Sequence, residues 1–184
     1  MVCGNAYVSG HSKICDDAQV FGHANVTDGA VIKESALVYG NAIVKNSTIV
    51  KGKSQVYDEA MVYDTAQVYG DAIICGSAQV YGNARVGDLL ILTDNAMVYD
   101  NAIVCGKARV YGNAVIYDKA MIAGNAEIYG DAEIGGKAIV DDNTEVYGDA
   151  TIVGEVEIHD SARVYGSARL VGDEIINGET EVYD

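Results

Sequence analysis

The chain has no proline and no tryptophan, and its only phenylalanine is Phe21. It has three histidines and four cysteines in 184 residues. Basic side chains are scarce: 12 Lys and Arg face 27 Asp and Glu, a net charge of -15. With no proline, every residue keeps a backbone N–H for a hydrogen-bonded ladder. No apolar run approaches the roughly 20 residues that cross a bilayer as a helix, so no membrane association is expected. The opening MVCGNAYVSG has neither the basic flank nor the apolar stretch of a secretion signal. A cytoplasmic protein, in a bacterial cell or a phage-infected host, is the expectation. The shortage of Lys and Arg excludes nucleic acid as a direct ligand, because phosphates would be repelled. It leaves room for a basic partner. Threonines are few and form no outward Thr-x-Thr ladder, which excludes an ice-binding surface.

The acidic charge is not spread evenly. Residues 1–53 carry five basic and four acidic side chains. Residues 120–184 carry three basic and 15 acidic, net -12.

What the chain has in abundance is repetition, which has to be read before anything else. Stepping by six from Val2 to Val182 meets Val, Ile or Leu at all 31 positions, with no insertion or deletion. Two residues before each aliphatic lies a small side chain: 22 of 30 such positions are Ala and five are Ser or Thr. The exceptions are Leu90, Val156 and Glu174. Two residues after each aliphatic comes Gly or Asp, except at Glu34 and Asn46. Gly, Asp and Asn tolerate positive φ, which a tight corner requires. Period-2 alternation puts the small residue and the aliphatic inside and the residues between them outside. Six-residue sides with one corner each close into a triangle, so three hexads make an 18-residue coil. About ten coils stack at roughly 4.8 Å into a rod on the order of 50 Å long. The expectation is an all-β chain, a single-stranded parallel β-helix over residues 1–184 as one domain. The repeat is irregular near 86–92, read as a bulge, and near 170–180, read as a frayed end or cap. Open coil ends invite self-association.

The uninterrupted hexads, with runs such as ARVYGNA at 108–114, resemble the hexapeptide-repeat parallel β-helix family. The likeness covers essentially the whole chain and includes bacterial VYGNA-repeat proteins often labelled transferases. It implies a left-handed triangular solenoid, an exception to the right-handed crossover rule. It also raises acyl transfer, because family acyltransferases use a histidine base beside a groove between the subunits of a trimer, usually with a loop extruded from a coil. No hexad here extrudes a loop. His11, His23 and His159 fall in three different columns of the 18-residue coil, so no family catalytic position carries over. Cys3, Cys15, Cys75 and Cys105 lie coils apart, too far for disulfides, which need Cα atoms within about 7 Å. No metal and no cofactor is expected.

Column arithmetic also sorts the outward residues. One face stacks Glu127, Tyr129 and Asp131 over Glu145, Tyr147 and Asp149, with Glu181 further along. These residues, with Glu157, are the candidate partner-binding set. A second face carries Met61, Tyr63, Met97, Tyr99 and Tyr117, and a third Val31, Ile49, Ile103, Met121 and Ile139. Exposed apolar lines of this kind mark interfaces, so these ten residues are the candidates for homo-oligomer formation. The net -12 of residues 120–184 spans about 17 Å of rod, a density near that of duplex DNA. The sequence therefore reads as a non-enzymatic acidic protein. It would mimic DNA in the basic groove of a nucleic-acid-binding protein, as an anti-CRISPR inhibitor of a Cas9-type nuclease would. A self-assembling scaffold rod is the alternative, and a hexapeptide-repeat acyltransferase the second alternative.

Overall fold

A computed structural model describes residues 1–184. Thirty short strands, mostly two residues each, form three parallel sheets of ten strands. Each strand pairs with the strand three places on, so neighbours are 18 residues apart: Met61 lies beside Gln79, and Val110 beside Ile128. We call the face that starts at Tyr7–Val8 face 1, that at Lys13–Ile14 face 2, and that at Gln19–Val20 face 3. The strands are short because the corners come every six residues. The ladder nonetheless runs through the corners, since their N–H groups also donate to the next coil, as His23 does to the Gly40 carbonyl at 2.8 Å.

Corner residues adopt positive φ in every repeat from Gly4 to Gly178, including Glu34 and Asn46. At most of the acidic corners, though not at Asp28 or Asp100, the carboxylate has a further task. The N–H of Gly82 donates to Asp64 Oδ2 at 3.2 Å, Gly112 to Asp94 at 3.0 Å, Gly136 to Asp118 at 3.1 Å, and Asp160 to Asp142 at 3.1 Å. Each carboxylate thus caps a backbone donor of the following coil. Part of the acidity is therefore structural.

The core is one cluster of 49 buried apolar residues, almost all Ala and Val or Ile. Each coil contributes little, and burial accumulates by stacking at about 1.5–3 kcal/mol per fully buried aliphatic. Thr48, Ser54 and Thr144 take the small slot. The Thr48 and Ser54 hydroxyls donate to the carbonyls of Lys45 and Lys51, whereas the Thr144 hydroxyl has no partner.

The expected bulge at 86–92 does not form. Leu90 is fully buried in the small slot, and strands Arg85–Val86 and Ile91–Leu92 stay in register. The rest of its coil lines the core with Ala78, Val80, Ala84, Val86 and Leu92. Near 170–180 the repeat does change. Thr151–Gly154 and Arg169–Gly172 pair over four residues, which widens that corner. Val156 fits inside the widened coil, while Glu174 turns out to solvent.

Candidate functional site

Outward side chains stack in columns, because each coil repeats the one before. On face 3 the residue before the aliphatic runs Arg109, Glu127, Glu145, Arg163, Glu181. Arg109 pairs with Glu127 at 3.1 Å, and Arg163 with Glu145 at 3.4 Å and Glu181 at 3.5 Å. The residue after the aliphatic forms an aromatic ladder: Tyr111, Tyr129, Tyr147, Tyr165 and Tyr183 stack with ring centroids 4.8–5.1 Å apart. Tyr111 donates to Glu127 at 3.4 Å and Tyr165 to Glu181 at 3.2 Å. Burial, then the charge of Glu145, pushes the Tyr129 hydroxyl up to about 12. Beside this ladder Asn113 donates to Asp131 at 2.7 Å.

The same face holds a second aromatic run, Phe21, Tyr39 and Tyr57, interrupted at Cys75 and Thr93. The Cys75 thiol contacts the Thr93 hydroxyl at 3.3 Å. A hydrogen bond with Cys75, then burial, pushes Tyr57 up to about 12. Face 1 carries a third ladder, Tyr63, Tyr81, Tyr99 and Tyr117. It ends where the Tyr117 ring lies across Gly135, in space that any side chain there would fill.

The structure brings together Glu127, Tyr129, Asp131, Glu145, Tyr147, Asp149 and Glu181 along face 3 and its corner. It leaves Glu157 apart, on face 2 beside Ile139. The acidic stripe expected from sequence is in fact a mixed column, because two arginines pair with Glu127, Glu145 and Glu181. Of the self-association candidates, Val31, Ile49, Ile103, Met121 and Ile139 share face 2, while Met61, Tyr63, Met97, Tyr99 and Tyr117 share face 1.

Face 2 also holds an arrangement that the sequence reading split between two roles. Glu157 and His159 flank the inward Ile158, and both point outward. Period-2 alternation dictates this. The His159 Nε2 lies 3.4 Å from Glu157 Oε2, and about a third of the imidazole is exposed. The same coil then turns its corner at Ser161 and leads to a polar cleft of about 300 Å³, lined by Ser161, Arg163, Glu179 and Glu181. An exposed imidazole held by a carboxylate has the parts of a general base.

A family model described as the YdcK beta solenoid repeat matches residues 66–80 and 78–88. The chain is similar to the solved UDP-N-acetylglucosamine acyltransferase from Campylobacter jejuni, at TM-score 0.51 and 16% identity, covering 88% of this chain and 68% of that one. It is also similar to LpxA from Acinetobacter baumannii, at TM-score 0.54 and 15% identity, covering 98% and 67%. No curated protein matches the chain in sequence. The chain is a β-solenoid of six-residue repeats and shares its fold with these solved structures. This result corrects the expectation of a non-enzymatic protein. The solved β-helices it resembles are acyltransferases, so the fold gives no ground for excluding an enzyme. The likeness to DNA-mimic inhibitors that charge alone implied has no counterpart among these relatives.

Proposed function

We propose that this β-helix is an acyltransferase of hexapeptide-repeat type, with His159 as its general base and Glu157 as the residue that positions it. The observation that carries the reading is the His159–Glu157 pair, 3.4 Å apart on an outward strand of a fold shared with acyltransferases. In this reading His159 takes the proton of an acceptor hydroxyl or amine as that atom attacks the carbonyl carbon of an acyl thioester. The C–S bond breaks, the acyl group stays on the acceptor, and the thiolate leaves and takes up the proton. Glu157 holds the imidazole in one orientation and stabilises the imidazolium that forms.

The test offers acetyl-coenzyme A and a panel of amino and hydroxy sugars, with acylated product read by mass spectrometry. His159→Ala is expected to lower the rate by roughly 10²–10⁴-fold. Glu157→Gln is expected to lower kcat about tenfold and to move the pH profile. Absence of product from the native chain, or an unchanged rate in His159→Ala, defeats the reading.

A second reading is favoured by one observation, the net -12 of residues 120–184. In it the C-terminal third docks on a basic nucleic-acid-binding protein. The arginine pairing along face 3 weakens it, since three of its carboxylates are already engaged.

A further inference from the structure

The face 3 ladder is broken at two successive levels. Rings stand at Tyr57 and Tyr111, and Cys75 and Thr93 hold the two places between them. Three coil spacings separate the two rings, about 14 Å, and the short side chains leave that length as a notch. At the same two levels the neighbouring outward column changes character. It reads Gln55 below, Arg109 above, and Ile73 and Ile91 between. Beside it stands Leu89, 53% exposed and the only aliphatic residue at any corner of the rod. A shallow hollow of about 370 Å³ opens there, lined by Gly70, Asp71, Asp88 and Leu89. The rings that bound the notch have not folded over it. On face 1 the last ring covers itself: Tyr117 stands 5.7 Å from Tyr99, tipped by 14°, and lies across Gly135. Tyr57 instead keeps the ladder spacing, 4.8 Å and 6° from Tyr39, and Tyr111 lies 4.9 Å and 3° from Tyr129. Each gives one ring face to its own ladder and turns the other to the notch.

We propose that this notch binds an uncharged planar aromatic molecule of one or two fused rings, which enters as a missing rung. Aromatic pairs stack with centroids about 4.5–7 Å apart, so a ring laid on Tyr57 or Tyr111 repeats a contact the protein already makes with itself. Ile73 and Ile91 supply the apolar flank. The Thr93 hydroxyl, which accepts from the Cys75 thiol at 3.3 Å, supplies a polar group that fixes orientation. The charges around the notch select for neutrality. Arg109 is paired with Glu127, and the carboxylates of Asp58, Asp88 and Asp94 accept from the N–H groups of Gly76, Gly106 and Gly112. That leaves Lys53 and Lys107 against Glu59 and Asp71, two of each sign. Face 1 offers no such place, because its ladder runs unbroken from Tyr63 to Tyr117. The site is separate from the His159–Glu157 pair, which lies on face 2 more than three coils away.

The inference does not depend on acyl transfer, and its test reads binding alone. The probe is 2-naphthol at neutral pH, followed by fluorescence polarisation as the native chain is titrated in. The chain has no tryptophan, so the probe's emission stands clear of the protein's. Saturable binding is expected. A Cys75→Tyr, Thr93→Tyr double variant completes the ladder and fills the notch, and is expected to raise the dissociation constant at least about tenfold. Its melting temperature should match or exceed that of the native chain, because tyrosine already occupies this column in six other coils. An Ile73→Gln, Ile91→Gln double variant leaves the rungs empty but gives the flank the residue found at Gln55. It is expected to weaken binding roughly three- to tenfold. Decahydro-2-naphthol, the same skeleton without its flatness, should fail to displace the probe. Uptake by the native chain that does not saturate, or equal affinity in the filled variant, overturns the proposal, since the probe then lies elsewhere on the rod. Displacement by the saturated analogue at equal concentration also overturns it. Should the filled variant melt well below the native chain, the glutamine variant decides, and unchanged affinity there defeats the inference.

Discussion

At the scale of single residues, the corner acids carry more than the sequence announces. A corner needs positive φ, and Asp meets that need at modest cost. Gly meets it more easily, yet 12 corners hold Asp, Glu or Asn. The bond from Asp94 to the Gly112 N–H gives a reason, since glycine cannot make it. Asp94→Val should cost about 2–3 kcal/mol, from a β-branched residue forced to positive φ and from the lost hydrogen bond. Asp94→Asn keeps the tolerance for positive φ and an acceptor oxygen, so it should cost less than about 1 kcal/mol. Urea denaturation midpoints compare the two. The acceptor role was not legible in the sequence, because the donor lies 18 residues away and the bond depends on the carboxylate's rotamer. The φ requirement was legible, because Gly and Asp share it.

At the scale of the strand, the hexad determined almost everything. Alternation around each aliphatic placed both inward columns and all three faces, since a two-residue strand between fixed corners has no freedom to slip by one residue. The same rule places Glu157 and His159 side by side. Sorting His159 by coil column and Glu157 by charge kept that pair from being seen. Leu90 misled in the other direction, because a large residue in a small slot reads as a defect, whereas the strands on either side of it keep the register of the repeat. The tyrosine ladders add a property no single strand has. Burial raises the pKa of Tyr63, Tyr81, Tyr99, Tyr111 and Tyr129 above the ordinary 10. A group whose folded pKa is raised binds its proton more tightly in the folded state. Its stabilisation is therefore full below pH 10 and is lost as pH climbs toward the folded value, about 12 for Tyr129. Tyrosinate absorbance and circular dichroism, followed together through alkaline titration, should show ionisation delayed past pH 10 and unfolding coincident with it. Ionisation at pH 10 without loss of structure would remove the ladders from the stability account.

At the scale of the whole molecule, charge and repetition set the behaviour. The C-terminal third keeps a large negative excess even after Arg163 is paired. If that excess recruits a basic partner, a pulldown with Glu127, Asp131, Glu145 and Asp149 all changed to Lys should lose proteins that the native rod retains at low salt. Retention of the same proteins at physiological salt counts against the acidic face. Repetition has its own consequence. Because every coil presents nearly the same edge, a chain threading onto its own growing end meets a reading-frame problem, and a slip of one full turn would bury the same Ala and Val columns. Leu90 in its small slot and the widened corner at Gly154 are where one coil differs in shape from the next. Those are the levels at which a slipped turn would meet a neighbour of different shape, so the most irregular repeats are the ones where a slip would cost packing.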